Sequence, residues 1–362
     1  MMNLKLSTFF LLSLVFVSLI AGFSVKPVNA DPKTIVVPDD YSSIQDAINN
    51  AATGDTIYIK KGTYVENPIV NKSVSIIGEN RDETVIDVTA GLKVQSNNVT
   101  IRGLTIYDGW QGITVSANYS TISGNKIAHT QYGIVLLNSQ NCTITENLLQ
   151  SIGLSAAIQL SYSNNNLIKN NYIEGCTEGI QLRASSSYNM VIENAITNCQ
   201  DVALRLLAEY SPPRWYTPYG NTIMGNNISN SGCGTSVYGS SYNFISNNDF
   251  VNNTIQFSSN EDYYLTWGGS HSINTIDRNY WSDYNGTDAN RDGIGDTPYI
   301  IDSYNKDNNP LISPIPVTLP NYGPTASPSV PELSWLAVLP LFGALLLITG
   351  ALKYRRSNFW KT

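Results

Sequence analysis

The chain has 362 residues, a formal net charge of −7, 26 glycines, 22 tyrosines and only 14% charged residues. Residues 31–331 hold 15 basic against 27 acidic side chains, about −12, which is the wrong sign for phosphate neutralisation and excludes a nucleic-acid binder. Low charge with abundant Gly, Asn and Tyr points to an all-β extracellular protein rather than a helix-rich cytosolic enzyme.

In chain order, Met1 to Ala30 carries Lys5, an apolar run from Phe9 to Phe23 and Val28-Asn29-Ala30 before Asp31. That is a secretory signal peptide, so the chain is expected to be exported. Residues 31–96 read as an N-terminal cap and first rungs. Thr34 to Pro38 is a strand, and Ser42 to Ala51 is a helix with Ser42 as N-cap and Gln45 three residues on. Its apolar face (Ile44, Ala47, Ile48, Ala51) is expected to plug the open end of the coil.

From 97 to 282 the pattern N-x-apolar-x-x-N-x-apolar recurs. Its first column is Asn166, Asn189, Asn221, Asn243 and Asn274. Its second is Asn125, Asn147, Asn171, Asn194, Asn226, Asn248 and Asn279. Anchors from Ile101 to Ile276 lie 21, 22, 24, 23, 32, 22 and 31 residues apart, the period of a solenoid turn. Within each copy apolar and polar residues alternate, as in Ile158-Gln159-Leu160 and Ile180-Gln181-Leu182, which is strand periodicity. A leucine-rich repeat would need Leu at fixed spacing and a helical segment, and these rungs lack both. Stacked rungs superpose like residues about 4.8 Å apart, so inward asparagines form turn-locking ladders. Cys142 occupies a ladder position, and Cys176 and Cys199 fall where they stack as neighbours or form a disulfide.

The Ile44-Gln-x-Ala47-Ile cap, Gly54-Asp55-Thr-Ile, Gly62-x-Tyr64-x-Glu66, the Asn-ladder rungs and Asn279-Tyr-Trp-Ser-Asp283-Tyr together resemble the NosD-type periplasmic repeat proteins. Those belong to the right-handed parallel β-helix, pectin-lyase-like class. The resemblance covers about 34–312 and implies an all-β, right-handed parallel β-helix solenoid. It says little about activity. The copper that the family name suggests needs His, Met or thiolate ligands, and His129 and His271 are isolated, so copper is not expected.

Both long intervals swell after a rung's second strand, at Glu209 to Tyr219 and at Glu261 to Trp267, leaving the coil at one turn two rungs apart. Arg214, Trp215, Tyr216, Tyr219, Tyr263, Tyr264 and Trp267, with outward Gln181 and Arg205 beside Gln159, offer rings to stack on sugars and polar groups for their hydroxyls. A polysaccharide or surface glycan is the expected partner. The same aromatics would serve equally to close the coil's flank. A structural or adhesive envelope protein is the second reading, and a polysaccharide lyase or hydrolase the third. For the last, Asp39-Asp40 and Glu261-Asp262 lack a partner base at fixed spacing, although Glu209, Glu261 and Asp262 are the acids at hand.

In the Asp/Gly-rich 283–312 module, Asp288, Asn290, Asp292, the Ile294 carbonyl and Asp296 match the first nine positions of an EF-hand-like loop. Tyr299 stands where the bidentate Glu would, so a Ca²⁺ ion would be held with waters or with a carboxylate from elsewhere, such as Asp283 or Asp302. Seven of the 16 prolines lie between Pro310 and Pro331, a stiff stalk over 313–332. Leu333 to Leu352 is uncharged and long enough to span a bilayer, and residues 353–362 form a basic cytoplasmic tail. Pro331-Glu332-Leu333 resembles the P-E-F sorting signal of archaeal surface proteins. Seven N-x-S/T sequons stand at Asn71, Asn98, Asn118, Asn141, Asn227, Asn252 and Asn285.

Overall fold

A computed structural model describes residues 31–259 and 271–316. The expected signal peptide, the membrane helix and its tail, most of the proline stalk and the 261–267 insertion lie outside them. No helix among the described residues is long and apolar enough to cross a membrane.

Three sheets wind along one axis, with 13, 10 and 9 strands, here called A, B and C in the order in which each rung visits them, and all their pairings are parallel except that of Tyr299–Ile300 with Lys306–Asp307. Thr121–Ser123, Lys126–Ala128 and Tyr132–Leu137 make one rung. Each strand pairs in register with its counterpart one rung later, as Ile122 with Ile144 and Ile134 with Ile158. In the central rungs the inward residue of the short strands of sheets A and B is a fully buried Ile, Leu or Val, as Ile122, Ile127, Leu149 and Val191, so the core is a set of stacked aliphatic columns. The all-β parallel β-helix is as the repeat implied.

The ladders bear this out in atomic detail. In the second column Asn125 Nδ2 donates to Asn147 Oδ1 at 3.1 Å, Asn147 to Asn171 at 3.0 Å and Asn171 to Asn194 at 2.9 Å. The chain of amides continues through Asn226 and Asn248 to Asn279. The first column runs likewise from Asn166 through Asn189, Asn221 and Asn243 to Asn274. Most ladder asparagines are preceded by a left-handed residue, such as Tyr188 (φ 57°), Glu193 (φ 53°) and Tyr242 (φ 60°). Such a conformation costs a non-Gly residue about 1 kcal/mol or more, and the amide network offsets it. The bend from sheet B to sheet C is tighter: a Cβ on Gly133 or Gly179 would meet the next rung's carbonyl at 2.2 Å. Only Gly or Ala occupies that column in the central rungs.

Two ladder members escape the sequence pattern. Asn305 Oδ1 accepts the Asn274 N–H at 3.1 Å, and the fully buried Asp307 accepts from Asn279 and from Trp281 Nε1. They terminate the two columns. The end is sealed by Phe250, Trp281 and Tyr299, stacked at 4.4 and 4.3 Å.

At the other end the helix Ile44–Asn50 buries Ile44, Ala47 and Ile48 on the first rung. Its N-cap is Ser43, one residue later than expected, whose hydroxyl accepts the Asp46 N–H at 3.0 Å. Gln45 does not close a capping box; it reaches Asn49 and Ile69 instead. Glu66 takes the Ile44 and Gln45 N–H groups at 3.0 and 3.1 Å, which explains the acidic end of the Gly62-x-Tyr64-x-Glu66 motif. All four cysteines are buried free thiols. Burial pushes the Cys176 thiol up to about 11 and Cys199 to about 12, so neither is a ready thiolate.

The last described residues cross the outside of sheet B, where the Ile315 N–H donates to Asp249 at 2.9 Å. Burial holds the Asp249 carboxyl up at about 6, and only that N–H favours its charge. Its folded pKa lies above the unfolded 3.8, so its contribution is full below pH 4 and is lost as pH rises through 6. Between pH 4 and 7 the protein should lose about 2 kcal/mol that Asp249→Asn does not lose. Thermal melts across that range check this, and parallel profiles would contradict it.

Candidate functional site

The 191→223 interval becomes an antiparallel hairpin, Glu209–Ser211 with Arg214–Tyr216, standing off the end of a sheet C strand. Arg183 in the preceding rung forms an ion pair with Glu209 and fixes its base. Trp215 packs on Tyr210 at 5.1 Å and against Tyr238 at 6.2 Å, and Tyr216 meets Tyr162 edge-on at 5.5 Å. The Arg214 guanidinium lies 4.9 Å over Tyr216. Trp215 and Tyr216 are therefore half-buried packing residues, while Arg214, Tyr210 and Tyr219 are exposed. The second insertion also leaves between sheets C and A, after Ile255–Ser258 and before Thr275–Asp277. Tyr263, Tyr264 and Trp267, with Glu261 and Asp262, lie outside the described residues.

The C-to-A edge holds a cleft of about 670 Å³ lined by Thr217, Tyr219, Ser241, Tyr242, His271 and Tyr304. Tyr242 is 78% exposed, and Tyr304 stacks on His271 at 4.0 Å. Tyr219 meets Tyr188 of the preceding rung at 5.1 Å. Tyr188 and Tyr242 are exposed left-handed turn residues just before the first-column Asn189 and Asn243, which puts both on one ridge. Sequence reasoning found Tyr219 but missed Tyr242, His271 and Tyr304. For Tyr242 the position just before Asn243 was the available signal.

Gln159 and Gln181 face outward from sheet C, yet each is only 5% exposed, which corrects their expected place on an open surface. Gln159 Nε2 donates to Gln181 at 2.9 Å, and Gln181 to Glu178 at 2.9 Å, so both amides are consumed in a row of hydrogen bonds. Arg205 bridges Glu178 at 3.2 Å and Asp201 at 2.6 Å. Burial raises the Glu178 pKa against the pull of Arg205. None of Gln159, Gln181, Glu178, Asp201 or Arg205 lines the tyrosine cleft, so this ionic row and the cleft are distinct places.

The loop from Asp288 to Asp296 gathers the residues expected of a Ca²⁺ site but turns them on its own backbone. Asp288 accepts from Asp292 and Gly293, Asp292 from Ile294, and Asp296 from Ala289. Asn290 donates to Asp292. The supplementary donors are engaged elsewhere, Asp283 by the Tyr299 hydroxyl and Asp302 by Ser259 and Asn305. Copper donors do not converge either. His129 packs edge-on against Tyr107, His271 stacks on Tyr304, and no three His, Cys, Asp or Glu side chains meet in a metal-holding group among the described residues. The described residues do not fit copper.

A Cell surface glycoprotein of Methanothermus fervidus is 27% identical over 132 residues, 35% of this chain, and the match spans only 18% of that relative's length. Among solved structures, the A-module of Azotobacter vinelandii mannuronan C-5 epimerase AlgE4 is 19% identical with a TM-score of 0.53, over 67% of this chain and 84% of that one. The catalytic domain of a GH87 alpha-1,3-glucanase is 16% identical with a TM-score of 0.50, over 70% and 59%. At these identities the likeness concerns the fold alone. The family model described as Periplasmic copper-binding protein (NosD) matches residues 48–216 and 214–286, from the end of the capping helix through nearly every rung of the solenoid, and the chain belongs to that NosD family.

Proposed function

We propose that this chain is an exported surface protein that holds an extended polysaccharide along its C-to-A edge without cleaving it. The observation that carries this reading is the cleft in which Tyr219, Tyr242 and Tyr304 present rings beside His271, Ser241 and Thr217. Pyranose rings need such apolar faces, with hydroxyl and imidazole groups for their own hydroxyls. The leader-like residues 1–30 and the named relative, a cell surface glycoprotein, support the location. The apolar 333–352 segment supports retention at a membrane. A structural envelope role would leave the cleft without a ligand.

Retention on immobilised polysaccharides tests the reading. Tyr242→Ala and Tyr304→Ala should each weaken binding about 10-fold or more, since a stacked ring buries one to a few kcal/mol of apolar contact. The melting temperature should stay within about 2 °C, because both rings are largely exposed and sit outside the core. Retention unchanged in both variants would sink the proposal. Released oligosaccharide would replace it with an enzyme, for which Glu178 and Asp201 beside Arg205 are the acids to test. Trp215→Ala discriminates less well, because Trp215 also packs on Tyr210 and Tyr238.

Calcium at Asp288, Asn290, Asp292, Ile294 and Asp296 is a separate proposal that rests on their spacing. Saturation at 100 times Kd would stabilise by about 2.7 kcal/mol. Melts with Ca²⁺ and with EDTA should therefore differ by several degrees in wild type and not in Asp292→Asn. Identical melts would reject the ion.

A further inference from the structure

Four consecutive rungs carry an N-x-S/T sequon at the same C-to-A turn: Asn71, Asn98, Asn118 and Asn141. The geometry treats them differently. Asn98 and Asn141 are exposed, left-handed (φ 57° and 56°), and followed at the second position by the half-exposed Thr100 and Thr143. Their carboxamides make no hydrogen bond with any described residue. Asn118 lies between them and is closed: its Oδ1 accepts the Gln140 N–H at 2.8 Å, and its sequon hydroxyl, Ser120, is 1% exposed. Asn71 is exposed, but the Ser73 hydroxyl that completes its sequon donates to Asn97 O at 2.6 Å. Asn227 is half-buried in a sheet B strand beside the fully buried Ile228, and its Ser229 hydroxyl donates to Thr197.

We infer that Asn98 and Asn141 are N-glycan acceptors, set about 9.6 Å apart on one edge, and that Asn118 and Asn227 are not. The donor is a lipid-linked oligosaccharide phosphate. The Asn Nδ2 forms a bond to the sugar C1 and gives up a proton, while the C1–O bond to phosphate breaks and the lipid phosphate leaves. No redox change occurs. Transfer needs the amide nitrogen and the hydroxyl at the second position to be reachable together, which the edge offers at Asn98 and Asn141 and denies at Asn118. Asn252 and Thr254, both exposed on the B-to-C turn, meet the same condition. The glycan-bearing part of the edge, residues 98–141, then precedes the tyrosine-bearing part, 188–304, along one axis.

The inference rests on the exported reading and adds the sites. The full chain would be expressed in a host that N-glycosylates its surface proteins, recovered from the cell envelope, and its peptides mapped by mass spectrometry. The expected result is a glycan on the Asn98 and Asn141 peptides and bare Asn118 and Asn227. Thr100→Val and Thr143→Val, which keep a β-branched residue in the strand, should each remove one glycan mass from the intact protein. Bare Asn98 and Asn141 in chains whose leader has been removed would overturn the acceptor assignment while leaving export intact. A glycan at Asn118 comparable to that at Asn98 would overturn the geometric selection. Chains found only in the cytoplasm with the leader retained would overturn export and acceptor together.

Discussion

Asn194→Ala should lower stability by about 3–5 kcal/mol, although it removes only a small polar side chain. The amide is fully buried and makes five hydrogen bonds. Its Oδ1 accepts from the backbone N–H and the Nδ2 of Asn171, and its Nδ2 donates to Ile168 O, Ile192 O and Asn226 Oδ1. Deletion strands several of these partners away from water, and each orphan costs about 1–3 kcal/mol. It also leaves Glu193 in its left-handed conformation without the network that holds it there. Asn194→Asp separates direction from packing: it keeps the shape and the acceptors but cannot donate to three oxygens. At pH 7 it should destabilise at least as much, with partial recovery as the pH falls and the carboxyl is protonated. Denaturant melts of the three proteins decide. A loss under about 1 kcal/mol for both variants would mean that stacking of the aliphatic columns, not the ladder, holds the turn.

Trp281→Ala should cost about 3–5 kcal/mol, and the loss should be confined to the C-terminal rungs. Trp281 is 1% exposed, lies between Phe250 and Tyr299, and donates through Nε1 to Asp307 at 3.1 Å. Removing the ring opens a cavity at the end of the core and takes one of the donors from a buried carboxylate that terminates the second ladder. Trp281→Phe keeps much of the stack and loses the N–H, so it should cost about 1–3 kcal/mol. Rungs of a solenoid contact mainly their neighbours, so amide exchange should quicken over 244–281 and stay slow over 121–150. Uniform quickening along the chain would instead mean that the whole coil unfolds as one unit.

The fold was legible because its determinants are local and repeated. One buried amide per turn and one aliphatic residue per strand recur in a short pattern, so Asn171 predicts Asn194 and Ile168 predicts Val191. Capping detail was less legible: Ser42 and Ser43 are chemically equivalent, and which becomes the N-cap depends on how Glu66 approaches from the next rung. Asn305 and Asp307 were missed because they end the ladders without a following strand pair to mark the register. Gln159 and Gln181 were given the right direction and the wrong exposure, since alternation tells which way a side chain points but not what its neighbours cover. The cleft escaped because Tyr219, Tyr242, His271 and Tyr304 come from different turns and meet only when the rungs stack.

A crystal structure of residues 31–316 with a soaked oligosaccharide, chosen from the polysaccharide retained most strongly, tests the binding edge most directly. The tyrosine edge predicts an intact glycan with sugar rings over Tyr242 and Tyr304 and its axis running along the solenoid. Sugar found instead across Glu178 and Arg205 on sheet C, with its linkage cut, would contradict a binding edge and make the ionic row the active centre.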